Sequence, residues 1–142
     1  MKTASKGFSL IEIMVTMAIV ALLASIVIPK YNDYIQRGDR SEGISAMQAI
    51  LEAQERYYAD NVTYTTDLKN LGYSASTFTT ENSRYVISAQ ACQDSGGANI
   101  ALTQCIELLA TAQAGQADDG NLIVNTAGRQ DRILTDGTTS HW

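Results

Sequence analysis

The chain begins with a short basic segment, and an apolar run from Phe8 to Ile28, FSLIEIMVTMAIVALLASIVI, follows it directly. Twenty-one residues in an α-helix cover about 30 Å, close to the thickness of the hydrocarbon core of a bilayer. The run therefore predicts a helix that is long enough and apolar enough to span a membrane.

One acid, Glu12, interrupts this apolar run. An ionised side chain in such a helix costs about 2.5–3.5 kcal/mol on insertion scales, and a simple anchor has no reason to accept that cost. The residue therefore predicts a partner outside this chain. The alternative is a single-span membrane protein whose acid lies at the interface, supported by Lys6 and by the helix N-terminal dipole.

The helical periodicity continues beyond the apolar run, from Tyr31 to Asp60, but only one face stays apolar. We expect this face to pack on a sheet formed later in the chain. Its members recur at steps of three and four residues: Tyr31, Tyr34, Ile35, Ile44, Met47, Ile50, Leu51, Gln54, Tyr57 and Tyr58.

Three residues predict a helix break within this segment: Pro29, Gly38 and Gly43. Proline removes one backbone donor and clashes with a preceding carbonyl, and each glycine costs about 0.5–1 kcal/mol relative to alanine. The stretch from 29 to 43 is thus the weakest part of the helix. A gentle bend and local melting or stretching both fit this pattern.

After Asp60 the pattern becomes that of loops and short strands. We expect a loop over 61–83 with one helical turn around 66–71, a hairpin turn at Asp119-Gly120, and an antiparallel sheet. The expected strands are 84–91, 106–113, 122–125 and an edge strand at 132–134. The predicted fold is α+β: a long N-terminal helix, whose first part is a hydrophobic stalk, packed on a small antiparallel sheet head.

The N-terminal sequence KGFSLIEIMVTMAIVALLASIVIPKY closely resembles that of type IV prepilins, which share it with type II secretion pseudopilins. A secretory signal would place an A-x-A cleavage site after the apolar run, and none is present there. The resemblance implies that a prepilin peptidase cuts between Gly7 and Phe8 and methylates Phe8. It also implies that Glu12, fifth in the mature chain, meets the N-terminal ammonium of a neighbouring subunit during filament assembly.

The same resemblance implies a domain organisation and an order of membrane insertion and filament assembly. Residues 1–7 are the leader, 8–28 the transmembrane and filament-core helix, 29–60 its amphipathic continuation and 61–142 the globular β-rich head. The subunit is expected in the inner membrane with its head in the periplasm. Inner-membrane assembly machinery then polymerises it, with copies of itself and other pilins, into an extracellular filament for adhesion, motility or DNA uptake.

Charge and cysteine content agree with a head outside the cytoplasm. The leader residues Lys2 and Lys6 favour a cytoplasmic N-terminus. Cys92 and Cys105 form an even pair in a compartment where disulfides persist, and 12 residues separate them. A CxxC redox pair or a zinc site needs closer spacing or more ligands, and His141 is the only histidine. We expect a structural disulfide.

The downstream half resembles the minor-pilin group that includes DNA-uptake receptor pilins. The similar segments are YYADNVTYTTDLKNLGY, RYVISA and NLIVNTAGRQDR. A minor or tip pilin that recognises DNA or a surface is therefore an alternative to a purely structural subunit. The net charge of the chain is −5, so DNA contact needs a local basic patch. The candidates are Lys69, Arg84, Arg129 and Arg132.

A second alternative is a type II secretion pseudopilin, a class that carries a calcium loop in its C-terminal region. The segment Asp118-Asp119-Gly120-Asn121 is the candidate, although it lacks the spacing and the bidentate Glu of an EF-hand. Motifs for catalysis such as G-x-S-x-G, the P-loop and H-E-x-x-H do not occur in the sequence. We therefore expect no enzyme activity, no cofactor and no metal.

Overall fold

The structure is a computed structural model that describes residues 7–142. The chain divides into two compact units, with the division after Ile35. The leader residues Met1 to Lys6, including Lys2, lie outside the described residues.

One helix, α1, extends from Leu10 to Asn61. It runs unbroken through Pro29, Gly38 and Gly43, so the predicted break is absent from the described subunit. Melting or stretching at these residues in a filament stays a prediction. The helix ends just before Val62, whose φ is 54°. This left-handed conformation is incompatible with a right-handed helix and is rare for a β-branched residue.

In the first unit, the apolar side chains of α1 have no cover from the subunit itself. Nearly all of them are exposed, for example Leu22 at 69% and Ile28 at 60%. By length and composition this is the one helix in residues 7–142 that is able to cross a membrane. The burial that would stabilise these groups must come from another molecule or from lipid.

The second unit packs the C-terminal part of α1 on one antiparallel sheet, which confirms the α+β prediction. The strands follow each other across the sheet in chain order. Their bounds are β1 Phe78–Thr79, β2 Tyr85–Ala91, β3 Ile106–Ala112, β4 Asn121–Asn125, β5 Gln130–Ile133 and β6 Thr139–His141.

The strands that the alternation predicted are the central ones, and both edges were missed. β1 is only two residues long, too short for a periodic signal, and lies in the predicted loop. β6 is built from Thr139, Ser140 and His141, which have no apolar alternation. The predicted edge strand at 132–134 corresponds to β5, which begins at Gln130. It is not an edge strand, because it pairs with β4 on one side and β6 on the other.

The core lies between the helix and the sheet, and the strand register explains it. Ile87 is opposite Ala110, which is opposite Leu122, and all three are buried. Met47 and Ile50 of α1 pack on this row at 0% exposure. The helical period of α1 and the period-2 pattern of the strands thus present matching apolar faces.

Gly43 lies where α1 packs closely against the sheet. A Cβ at this position would be 2.9 Å from the ring of Tyr85, a buried residue at the start of β2. A side chain of any size would push the helix and the sheet apart. The sequence pattern marks this glycine only as a weak point of the helix, whereas the structure shows a packing requirement.

The end of α1 is tied to the disulfide region. The side-chain amide of Gln54, fully buried, donates to the Thr65 carbonyl at 2.6 Å and accepts from the Thr65 N–H at 3.0 Å. Tyr58 donates its hydroxyl to the Thr103 carbonyl. The expected disulfide joins Cys92 and Cys105, whose Cα atoms are 5.6 Å apart, and it links the end of β2 to the start of β3.

A short 3₁₀ helix, Ala114–Asp119, connects β3 and β4 in place of the tight Asp-Gly hairpin that the sequence predicts. Its last residue precedes Gly120, which has a φ of +91°. A Cβ on Gly120 would collide with the backbone carbonyl of Ile133. The glycine is therefore needed for close approach to the end of β5 as well as for its backbone conformation.

Candidate functional site

The residues with a predicted role lie in several regions of the described chain. The first is the start of α1, where Phe8 is 78% exposed and Glu12 lies exposed in the first helical turn. No basic side chain of residues 7–142 lies within ion-pair distance of Glu12. This arrangement leaves the carboxylate available to a group of another molecule. Its predicted pairing with a neighbouring N-terminus stays a prediction.

The second region is the polar junction between α1 and the sheet, centred on Asp119. Its carboxylate accepts from three groups: Arg40 Nε at 3.0 Å, Arg132 Nη1 at 2.9 Å and Gln116 Nε2 at 2.8 Å. The side chain of Asp119 is 7% exposed. A buried carboxylate is costly unless it is paired, and here two guanidinium groups share it.

Gln116 extends this network towards the core. It is fully buried, and its amide nitrogen also lies 3.0 Å from the Gln36 carbonyl and 3.0 Å from the Tyr85 hydroxyl. Burial raises the pKa of Tyr85 to about 12, so the phenol keeps its proton above pH 10, where an exposed tyrosine ionises. The Gln116 side-chain oxygen has no hydrogen-bond partner among the described residues.

A further ion pair fixes the start of β2 to the helix. Arg84 Nε lies 3.5 Å from a carboxylate oxygen of Asp39, which is buried. Asn82 donates to the same aspartate at 3.3 Å and to Glu42 at 2.8 Å. We call Arg40, Arg84 and Arg132, with Asp39 and Asp119, the arginine cluster. Its charges are largely paired with one another, so the cluster stabilises the contact between α1 and the sheet and is not an acid–base site.

Arg129 belongs to a separate group on the sheet. Its Nε is 2.7 Å from Asp131 and its Nη1 is 3.5 Å from Glu107, a buried carboxylate of β3. The hydrogen bond that Arg129 donates to Asp131 is the main reason that the pKa of the Arg129 guanidinium is raised. The arginine thus offsets the charge of Glu107 within the head.

These contacts reduce the number of cations in the predicted basic patch that are free to bind phosphate. Of its four cations, Arg84, Arg129 and Arg132 are paired with carboxylates of the head. Any phosphate they bound would have to compete with those carboxylates. Lys69 makes no such ion pair with the described residues, and neither do Arg37 and Arg56 of α1.

Arg56 lines a surface cleft of about 210 Å³ between α1 and the 3₁₀ helix Leu68–Leu71. Tyr57 and Asn70 line it too, and Lys69 precedes Asn70 in the chain. Sequence reasoning missed Arg56 because the residue lies on the amphipathic helix, where a charge is usually solvated surface. The one sequence signal for Arg56 was its position directly before YYADN, the start of the segment that resembles DNA-uptake receptor pilins.

The calcium alternative meets a chemical obstacle. Asp119, its central ligand, already accepts from two arginines and an amide. A cation would have to displace these donors. Within residues 7–142 no group of three acidic, histidine or cysteine side chains is arranged to hold a metal ion.

Comparison with known proteins adds to this geometry. A family described as type IV minor pilin ComP, DNA uptake sequence receptor, matches residues 29–123. The prokaryotic N-terminal methylation motif matches residues 2–28. The first match covers most of the second unit, including Arg56 and Lys69, and the second covers the junction at Gly7 and Phe8.

Similar sequences occur in fimbrial proteins of other bacteria. The fimbrial protein EcpC of Eikenella corrodens is 31% identical over 130 residues, which cover 85% of this chain and 81% of that protein. The type IV major fimbrial protein FimA of Dichelobacter nodosus is 53% identical over 50 residues, which cover 35% of this chain and 31% of that protein.

Proposed function

The chain belongs to the type IV pilin family, and from this premise we propose that it is a pilus subunit whose head binds duplex DNA. Pilins of this kind are inserted in the inner membrane and then assembled with other pilins into an extracellular filament. The match to the DNA-uptake receptor group over residues 29–123 is the observation that carries the DNA proposal.

We place the DNA contact at the cleft that Arg56 lines. Most contacts between proteins and DNA go to phosphate oxygens, from arginine, lysine, asparagine and tyrosine side chains among others. Arg56, Tyr57 and Asn70 line the cleft and supply such groups, with the acid Asp60 beside them, and Lys69 precedes Asn70 in the chain. Because Arg56 and Lys69 have no carboxylate partner among the described residues, a phosphate need not displace one.

The experiment measures binding of labelled duplex DNA by the full chain in detergent micelles, at several salt concentrations. The double variant Arg56→Gln/Lys69→Gln is expected to weaken binding and to lower the slope of log K against log salt by about 2. Arg37→Gln is the matched control, since it removes an exposed, unpaired arginine elsewhere on the same helix. Equal losses from Arg37→Gln and Arg56→Gln would contradict the proposed site.

We also propose that a prepilin peptidase cuts before Phe8 and methylates it, and that Glu12 guides assembly. The exposure of Phe8 and the absence of an ion pair between Glu12 and any residue of 7–142 support these roles. Mass spectrometry of filaments sheared from cells is expected to find this subunit beginning with N-methylated Phe8. A mature chain that begins at Met1, or beyond Ile28, would contradict the proposal.

A further inference from the structure

Two tyrosines in the first unit are exposed although the apolar pattern places them on the packing face. Tyr31 is 63% exposed and Tyr34 is 73% exposed, and Lys30 beside them is exposed too. All three follow the apolar run directly. The expected cover from the sheet is therefore wrong for these residues, and some other surface must explain them.

Their chemistry matches the boundary of a bilayer. Tyrosine combines an apolar ring with a polar hydroxyl and is enriched where a membrane helix leaves the hydrocarbon core. A lysine near a helix end buries its aliphatic stem and extends its ammonium into the headgroups. Lys30, Tyr31 and Tyr34 have both properties within little more than one helical turn.

The residues between Glu12 and Lys30 determine which depths of insertion are acceptable. The segment from Ile13 to Pro29 carries no charge, and its two hydroxyls are satisfied within the helix. Thr16 donates to the Ile13 carbonyl at 2.9 Å and Ser25 to the Leu22 carbonyl at 2.7 Å. This segment therefore tolerates hydrocarbon throughout its length, so the residues at its two ends fix the position.

The distance between the two ends of this segment is close to the thickness of the hydrocarbon core. At 1.5 Å per residue, Glu12 lies about 29 Å from Tyr31 and about 33 Å from Tyr34 along the helix. The hydrocarbon core is about 30 Å thick. With the tyrosines at one interface, Glu12 reaches the other. If the core were instead centred on 8–28, Glu12 would lie about 6 Å inside the hydrocarbon.

We propose that Lys30, Tyr31 and Tyr34 anchor the membrane-inserted subunit at the periplasmic lipid interface and thereby hold Glu12 at the cytoplasmic interface. The partner is the lipid headgroup region, and the tyrosine surface continues the exposed apolar surface of the candidate membrane span. Glu12 then enters an apolar environment only when the subunit leaves the bilayer. The proposal rests on the membrane location of the subunit and not on DNA binding.

The test measures depth in vesicles of phosphatidylethanolamine and phosphatidylglycerol. Nitroxide labels on Ala18→Cys and Leu22→Cys, in separate full-length proteins with the native disulfide intact, report depth by power saturation. Leu22 is midway between Glu12 and Tyr31, whereas Ala18 is midway between Phe8 and Ile28. The proposal expects the Leu22 label to lie deeper than the Ala18 label.

Variants then ask whether the tyrosines cause this register. Tyr31→Ser/Tyr34→Ser is expected to move the helix by up to about 6 Å and reverse the order of the two labels, whereas Tyr31→Trp/Tyr34→Trp preserves it. Asn32→Ser is the control within the same turn. Resistance to alkaline extraction establishes that each variant is inserted.

Two results would overturn the proposal. One is a deeper Ala18 label in the unmodified chain, which would place Glu12 in the hydrocarbon. The other is an unchanged order of depths in the serine double variant, which would assign the exposed tyrosines to contacts with neighbouring subunits in the filament instead.

Discussion

The two parts of α1 use the same secondary structure in opposite ways. Residues from 10 to 35 keep their apolar side chains exposed, and residues from 36 to 61 bury Met47, Ile50 and Gln54 against the second unit. Burial of apolar surface stabilises a protein only where the surface is actually covered. Changes in the first part should therefore affect association, and changes in the second part should affect the stability of the head.

The largest expected effect tests the first part. Glu12→Val should stay membrane-inserted, because the change leaves the run from Phe8 to Ile28 entirely without charge. The variant should nevertheless be nearly absent from sheared filaments or lose N-methylation, measured by immunoblot and mass spectrometry. Thr16→Val is the control, since it removes a polar group one turn later. Normal incorporation of the Glu12 variant would show that the carboxylate is incidental.

The second prediction tests the head through its disulfide. Cys92→Ser should lower the free energy of unfolding of the head by about 3 kcal/mol, because the closed loop no longer restricts the unfolded chain. Membrane insertion should not change. Chemical denaturation of the full chain in micelles measures the first quantity, and Ser95→Ala in the same loop is the control. An unchanged unfolding midpoint would remove the disulfide from the list of stabilising features.

The third prediction uses the raised pKa of Tyr85, about 12. Above pH 10 the unfolded phenol loses its proton while the folded one keeps it, so stability is present below pH 10 and is lost towards pH 12. The expected slope is about 1.4 kcal/mol per pH unit. Tyr85→Phe should be less stable at neutral pH but should lack this slope. Parallel curves for both proteins would contradict the assignment.

The fourth prediction compares two glycines of the same helix. Gly43→Ala should lower the free energy of unfolding by about 1–3 kcal/mol, because its Cβ would press on the ring of Tyr85. Gly38 has open space around it, so Gly38→Ala should raise stability by up to about 1 kcal/mol through helix propensity. Effects of the same sign would break the distinction between a packed glycine and a solvated one.

The sequence predicts the helix, the central strands and the disulfide, because each has a periodic or compositional signal. It does not predict the edges β1 and β6, which are held by backbone pairing with little apolar alternation. The ion pairs of Arg84 and Arg132 depend on which side chains tertiary folding brings together, and spacing along the chain carries no record of this. Arg56 was overlooked because a charge on an amphipathic helix is usually solvated surface, and only the tertiary fold places it beside the 3₁₀ helix Leu68–Leu71.

The order of the strands has a consequence for export. Because each strand of the head pairs with its neighbour in sequence, every hairpin is able to close as soon as its second strand has crossed the membrane. Contacts that are local in sequence form quickly, and few strand edges stay unpaired while the rest of the chain is still arriving. The part of α1 on which the strands pack precedes them in the chain, so it has crossed the membrane before them. The head is thus built for folding in the order of its translocation, with its C-terminus completing the sheet last.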